Sequence, residues 1–395
     1  MSSSSTSTFS TSTPKPQGTS IHPPKVTPPP RIMAIGIPGN PLLRSIPFIV
    51  LYVTIFLPCH AQKLVSTDIF ATGFPPMDKI PPTEPAVLAL YDLSKVPHFA
   101  PKLINNVTGD GICRTNDTTC DWTCFACTRP TDIKTCPQKG VWGLSYDDGP
   151  GPFTQGLLDF LDTYSIKAMF FAIGSRVVER PDLLLREFQT GHVVASHTWS
   201  HPLLTSLTTE QIVMEMHYSV LAIEKVIGTK PKYTRYPLGD TDDRVRAIFS
   251  AMNLIPVIWD RDTLDWTSNN PASHFQPQWI PNNFTQWVAT LSNDTTGHIS
   301  LEHDLFPISA TQAPNAIKIL QKAGYKIQTP VECNADMRPY VNQSIVIPHS
   351  QVKNQTGVGL GGVAASAAAA AAATAYGPLL RGWIILLASC VILLI

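Results

Sequence analysis

From residue 141 onward, apolar positions arrive in short bursts that alternate between two periods. Residues 141–146 form a compact apolar run. Residues 153–164 then place Leu157, Leu158, Leu161 and Tyr164 on one face at helical spacing, and 168–173 are apolar again. A period near 3.6 predicts an amphipathic helix, and a short apolar run bounded by turn residues predicts a strand. The alternation continues with a helix at 181–189 stopped by Gly191, a strand at 193–196, and a helix from Thr208 to 226 or 227 with Gly228 behind it. Thr208-Thr-Glu-Gln211 has the spacing of a capping box. A strand at 233–236, a helix at 242–252 and a strand at 255–259 follow. Beyond them come a weak helix at 283–291, a strand at 299–302, a helix at 311–323 stopped by Gly324, and a strand at 325–328. About seven strand–helix units in one stretch predict α/β architecture with a parallel sheet. A closed or distorted (β/α) barrel suits that many units better than an open sheet, though the pattern leaves both open.

Outside that stretch the pattern changes. Residues 1–32 are Ser, Thr and Pro with few apolar positions, too polar to bury a core. Met33 opens a different segment: Arg44, the apolar run 46–57 and Cys59-His-Ala61 have the layout of a secretory signal peptide at 33–61. Translation is then expected from Met33, with 1–32 as a gene-model extension. The competing reading, a type II membrane anchor, asks for about twenty apolar residues. At the other end, 363–375 is almost all alanine and 379–395 is apolar apart from Arg381. Small residues, a spacer and an apolar tail are the pattern of a GPI-attachment signal, with Ser366 or a small neighbour as the attachment site; a tail-anchored helix is the alternative. The expected organisation is therefore a Cys-containing extension at 62–137, a catalytic domain at 138–330, a linker at 331–365 and the attachment signal at 366–395. A cell-surface protein held by a lipid anchor, and a monomer, is the expectation.

Secretion makes the cysteines legible. Of eight, Cys59 and Cys390 lie in the signal and the tail, leaving Cys113, Cys120, Cys124, Cys127, Cys136 and Cys333. An even number in an oxidising compartment predicts disulfides. Cys124-Phe-Ala-Cys127 would suggest zinc in a cytosolic chain, but here it belongs with three bridges, and Cys333 should tie the end of the main domain to the 113–136 cluster. Six Asn-x-Ser/Thr sites, at Asn106, Asn116, Asn283, Asn293, Asn342 and Asn354, agree with a secretory route. Twenty-nine basic residues against 29 acidic ones give no electrostatic case for nucleic acid.

The chemistry concentrates at Asp147-Asp148-Gly-Pro150, where the first apolar run meets a Gly/Pro turn. Neighbouring strand side chains point to opposite faces, so both carboxylates reach one site only where the backbone turns. Close carboxylates repel unless a cation or a proton intervenes. His197-Thr-Trp-Ser-His201 supplies two imidazoles four apart, a spacing that a helical turn places on one face. One carboxylate plus two histidines is a three-ligand set that leaves an open position on zinc. Taken alone, Asp147-Asp148-Gly-Pro reads as a surface turn and His303 as a satisfied core histidine. His192, His217 and His298 have no motif around them and are read as structural or exposed.

Five motifs line up in order: S-Y-D-D-G-P at 145–150, H-T-W-S-H at 197–201, R-Y-P-L-G at 235–239, D-T-L-D-W at 262–266 and L-E-H at 301–303. In these the chain resembles the polysaccharide deacetylases of carbohydrate esterase family four, with the NodB-like domain, and among them the fungal chitin deacetylases. The stretch 239–246, G-D-T-D-D-R-V-R, also looks like the fungal branch. The resemblance covers roughly 138–330. It implies a distorted (β/α) barrel, with the Cys-containing extension attached, and one divalent metal, zinc or cobalt. By motif it implies Asp148, His197 and His201 as ligands, Asp147 as base, and Arg235 orienting Asp147. His303 would be the general acid paired to Asp265. Leu301 and Trp266 would line a pocket for the acetyl methyl, and Tyr236 and Leu238 would contact substrate. Arg235 and a bound cation should keep the Asp147 pKa low, and a backbone N–H near Leu238 should help bind the oxyanion. The family's third motif usually reads R-P-P-Y-G, so Tyr236 and Leu238 put the substrate fit of that loop in question.

The implied activity is removal of N-acetyl groups from chitin. Two alternatives stay open: an O-acetyl esterase acting on another polysaccharide, and a wall-bound carbohydrate-binding or structural protein.

Overall fold

A computed structural model describes residues 67–348, apart from 71 and 107. The predicted signal segment and the alanine-rich tail lie outside the described residues. Nine strands form one parallel sheet: β1 (Val141–Gly143), β2 (Ser145–Asp147), β3 (Met169–Ala172), β4 (Val193–Ser196), β5 (Tyr233–Thr234), β6 (Ile255–Pro256), β7 (Arg261–Asp262), β8 (His298–His303) and β9 (Lys326–Gln328). The strand order is β6-β5-β4-β3-β2-β8-β1-β9, with β7 also on β8. The parallel α/β architecture is thus as expected, with nine short strands where about seven were read.

The single predicted strand at 141–146 is two, because the chain changes neighbours at Leu144. β1 pairs with β9, β2 pairs with β3, and β8 runs along both. Leu144 bonds both ways across the break, its N–H donating to Gln328 O and its carbonyl accepting from Met169 N. The strand predicted at 255–259 is shortened to Ile255–Pro256, and a separate strand follows at Arg261–Asp262. The first pairs with β5 and the second with β8. No ladder joins β6 to β7 among the described residues, so the hydrogen-bonded sheet is not closed; residues 257–260 cross from one strand to the other. The β7 segment went unread in the sequence because Arg261 and Asp262 carry no apolar signal.

Helices pack outside. Thr154–Thr163, Pro181–Gln189, Thr209–Ile227 and Asp243–Ala251 fall near their predicted positions, and Trp279–Ala289 and Pro307–Lys322 each begin four residues early. The capping box at Thr208/Gln211 forms, and Gly228 caps the other end at φ 77°. Period-2 alternation decides what faces where. Trp142, Leu144 and Tyr146 point outward into a core shared with Leu157, Leu161, Ile317 and Leu320. Ser145 and Asp147, one step out of phase, therefore face the interior of the sheet.

The extension is stapled by Cys113–Cys124 and Cys120–Cys127, and Cys136–Cys333 ties it to the end of the main domain across 197 residues. Cys333 thus joins the 113–136 cluster as expected, and Cys124 and Cys127 each bond a different partner. Such bridges belong to an oxidising compartment.

Candidate active site

At the end of β2 the backbone turns sharply. Asp148 has φ 77°, a left-handed conformation that swings its side chain to the same side as Asp147. The turn is held from below by Asp304, whose N–H donates to Asp147 O at 3.1 Å and whose carboxylate accepts from Thr154 Oγ1. Gly149 lies so close to the Asp304 carboxylate that no β-carbon fits between them.

The two histidines reach the site differently from expectation. His197–His201 is not a helical turn but the loop after β4, with left-handed Thr198 (φ 66°) and His201 (φ 59°). That fold-back still brings the rings to 5.0 Å between centroids. The loop is anchored by Glu215, buried on helix Thr209–Ile227, which accepts from Trp199 N (2.9 Å), Ser200 N (2.8 Å) and Ser200 Oγ (2.6 Å). Burial pushes the Glu215 carboxyl up to about 7 against those bonds. Sequence reading missed Glu215. Its signal was a carboxylate in line with the apolar face of that helix, four residues before Ser219 and seven before Ala222.

Asp148, His197 and His201 form a group whose ligand atoms lie within 4.8 Å of one another. His201 Nε2 and His197 Nε2 stand 3.3 and 3.5 Å from Asp148 Oδ1. A tetrahedral cation with bonds near 2.1 Å would separate its ligands by about 3.4 Å. Asp148 Oδ1 is buried with no hydrogen-bond partner, a costly condition that a cation would relieve. The His197 ring is fixed by Nδ1, 3.0 Å from Arg235 O, which presents Nε2 to the site. Burial, with His201 beside it, drives the His197 pKa well down, so it is neutral and able to ligate. Burial raises the Asp148 carboxyl, but His201, His303 and His197 overcome that and hold it below its usual value. The residues therefore fit a divalent ion.

Arg235 is fully buried. Its NH1 donates to Asp147 Oδ1 at 2.6 Å, and Nε and NH2 donate to Val257 O and Ile258 O, carbonyls in the 257–260 crossing. Asp147 Oδ2 is left facing His197 Nε2 at 3.7 Å. In the cation-free protein burial pushes the Asp147 pKa up to about 6, outweighing the pull of Arg235 and His303, so the low value expected with a bound cation is not reached through Arg235 alone. His303 closes the other side. Its Nδ1 is 2.7 Å from Asp265 Oδ1, its N–H donates to Asp265 Oδ2 at 2.9 Å, and its Nε2 lies 4.0 Å from Asp148 Oδ2. Burial pulls His303 down, but Asp265, Asp148 and Asp147 outweigh it and carry the pKa up to about 10.

Asp147, Asp148, His197, His201 and His303 line a cleft of about 580 Å³, whose wall also includes Leu301, Trp266, Leu238 and Trp259. Leu301 is buried at its base, and Trp266 is 48% exposed at its mouth. Leu238, in a left-handed conformation at φ 58°, is 55% exposed. Tyr236 is a correction. Its side chain is fully buried, stacked on Phe249 with centroids 5.0 Å apart and its hydroxyl 3.5 Å from Asp132. As the residue before the 237–239 turn it faces the helix layer, out of reach of the cleft.

Comparison with known proteins adds to this geometry. A family model for polysaccharide deacetylase matches residues 134–257. Chitin deacetylase 2 of Saccharomyces cerevisiae is 33% identical over 235 residues, covering 59% of this chain and 70% of that protein. The chain belongs to the polysaccharide deacetylase family. Chitin deacetylase 1 of Cryptococcus neoformans var. grubii is 40% identical over 299 residues, which is 69% of this chain but only 61% of the relative's length. Among solved structures, the chitin deacetylase of Colletotrichum lindemuthianum is 30% identical, covering 51% of this chain and 90% of that one at a TM-score of 0.47. Deacetylases of this family are metal-dependent, in keeping with the Asp148-His197-His201 group.

Proposed function

We propose that this family member hydrolyses N-acetyl groups on β-1,4-linked N-acetylglucosamine chains, converting chitin and water to chitosan and acetate. The observation that carries the reading is the convergence, in one cleft, of an Asp-His-His group, a carboxylate outside that group and a histidine held by a second carboxylate. The chitin deacetylases among its relatives supply the substrate class.

Asp148, His197 and His201 would hold the ion, with zinc favoured by its ligand types and cobalt as the alternative. A divalent ion held there would lower the pKa of water toward ~7 and polarise a carbonyl. Asp147 accepts the water's proton on Oδ2, because Arg235 occupies Oδ1. His303, protonated, donates from Nε2 to the amide nitrogen as the C–N bond breaks, while Asp265 keeps Nδ1 engaged. Acetate leaves with the added oxygen, and the sugar keeps a free amine. Leu301 and Trp266 close around the methyl, so longer acyl groups meet packed walls.

The test is acetate release from chitin oligomers, with and without a chelator. Activity should vanish on chelation and return with zinc or cobalt. Acetylxylan as the better substrate would replace the reading with an O-acetyl esterase, and no turnover with the metal site filled would favour a binding protein.

The cellular setting we propose is the outer face of the plasma membrane and the wall, through secretion and a GPI anchor. The signal-like segment 33–61, the three disulfides and the tail pattern at 363–395 support it. A phosphatidylinositol phospholipase should release the protein from membranes, and deletion of 379–395 should send it into the medium. Retention on membranes after lipase treatment would mean a spanning tail instead.

A further inference from the structure

The cysteine-rich extension does more than precede the catalytic domain. Asp110, Gly111, Cys113, Trp122, Thr123 and Cys124 lie in the wall of the same cleft that holds the Asp148-His197-His201 group. None of them belongs to the five motifs.

This wall is built into a matching socket, and the socket is the stretch 239–246 that the proposed chemistry leaves unused. Trp122 N donates to Thr241 O at 3.1 Å, and Asp243 N donates to Thr119 O at 2.8 Å. Arg246 donates to Cys120 O (2.7 Å) and Cys127 O (3.0 Å) and pairs with Asp132. Arg129 forks onto both oxygens of Asp243. Lys102, almost wholly buried, pairs with Asp121 on the extension and reaches Asp240 on the socket at 3.5 Å. Asp240 in turn accepts from Thr205 N at 2.8 Å. Buried pairs such as Lys102–Asp121 and Arg246–Asp132 fix register where apolar contact alone would allow sliding. Gly239, at φ 68°, has the Trp122 ring so close that a β-carbon would overlap it. The indole then meets Trp259 edge-on at 4.9 Å between centroids. The outcome is two indoles, Trp122 and Trp259, in one wall of a cleft that also holds Trp266. A pyranose ring offers apolar C–H faces edged by hydroxyls. Aromatic surfaces with a few polar groups are the usual way a protein site receives such a ligand.

We propose that the disulfide-tied segment 110–124 is a specificity-determining wall of the substrate cleft, in which Trp122 packs against a sugar ring of the polymer next to the residue being deacetylated. This rests on the reading of the substrate as an N-acetylated sugar chain. The sequence 239–246 is then explained as the dock that holds the wall.

The test compares Trp122→Ala, Trp122→Phe and Asp110→Arg in the full chain on a chitin disaccharide and pentasaccharide, with folding checked by thermal melting. Asp110 is exposed, so bulk there narrows the cleft without removing buried contacts. For Trp122→Ala the pentasaccharide KM should rise about tenfold, the scale of one lost ring contact, and the disaccharide, which also carries one ring beside the reacting residue, should show a rise in KM too. Its kcat should stay within about twofold, the mark of lost ground-state binding. Trp122→Phe should recover most of the loss, and Asp110→Arg should raise the same KM. An equal fall in kcat on both substrates would mean that Trp122 acts only by propping the 237–239 turn, and would overturn the proposal, as would an unchanged pentasaccharide KM in Trp122→Ala and Asp110→Arg. If the unaltered protein releases no acetate from chitin oligomers, it is the substrate reading that fails. The same variants are then compared on acetylxylan fragments, where an unchanged KM overturns the wall too. Absence of turnover on both polymers overturns both.

Discussion

Asp147→Asn should keep its metal and lose its turnover, by on the order of 10²-fold or more, as expected for a positioned general base. Asp148→Ala should lose both together. The two aspartates are neighbours in the chain, but the structure separates them. Asp148 faces two imidazole nitrogens with a buried, unpartnered oxygen, whereas Asp147 is engaged by Arg235 through one oxygen and keeps the other free. In Asp147→Asn the introduced amide oxygen can still accept from Arg235, so the shape survives while the proton acceptor is gone. Removing the negative charge leaves the guanidinium of Arg235 buried without its counter-ion, so the melting temperature should fall as well. Metal content must therefore be measured on folded protein. KM should change little, because the carboxylate acts mainly in the transition state. A metal-free Asp147→Asn beside a metal-loaded Asp148→Ala would mean that the roles are exchanged. Full activity in Asp147→Asn would put the base elsewhere.

His303→Ala should lose on the order of 10²-fold or more on N-acetylated sugars and far less on an activated aryl acetate. An amine cannot leave without a proton, whereas a nitrophenolate can. Equal losses on both substrates would remove His303 from the role of acid. The pH profile carries the same argument. Asp147 must be deprotonated to accept, so activity rises as pH passes its pKa, and His303 must be protonated to donate, so activity falls as pH passes its own. In the cation-free protein those values stand at about 6 and about 10. A cation on Asp148 disfavours the protonated form of each, so both limbs of the bell should lie at or below them. Asp265 is the leading group that raises His303. Asp265→Asn should therefore move the alkaline limb down while leaving the acid limb near its place. An alkaline limb that stays fixed in Asp265→Asn would assign it to another group.

The sequence by itself determined the alternation of strands and helices, because that depends on local period and on stops such as Gly228 and Gly324, which act within a few residues. It also determined which residue types gather for chemistry, since Asp147, Asp148, His197, His201, Arg235, Asp265 and His303 all sit at or just after strand ends and one parallel sheet brings such ends together. What only the tertiary structure decided concerns contacts between segments far apart in the chain. Leu144 breaks one apolar run into two strands because its N–H bonds to Gln328 on one side and its carbonyl to Met169 on the other. His197 and His201 converge through left-handed turns held by Glu215, a residue on another helix, and not through helical spacing. The Asp147 pKa is set by burial, which motif spacing does not encode, and burial wins over the adjacent arginine. Tyr236 shares a motif with Arg235 and Leu238 but faces Phe249, because it is extended and neighbouring extended residues point to opposite faces. The second wall of the cleft was the least legible feature. Its residues reach the site through bonds such as those of Lys102, Arg129 and Arg246 to partners more than a hundred positions away, and no local pattern in residues 102–129 encodes that docking.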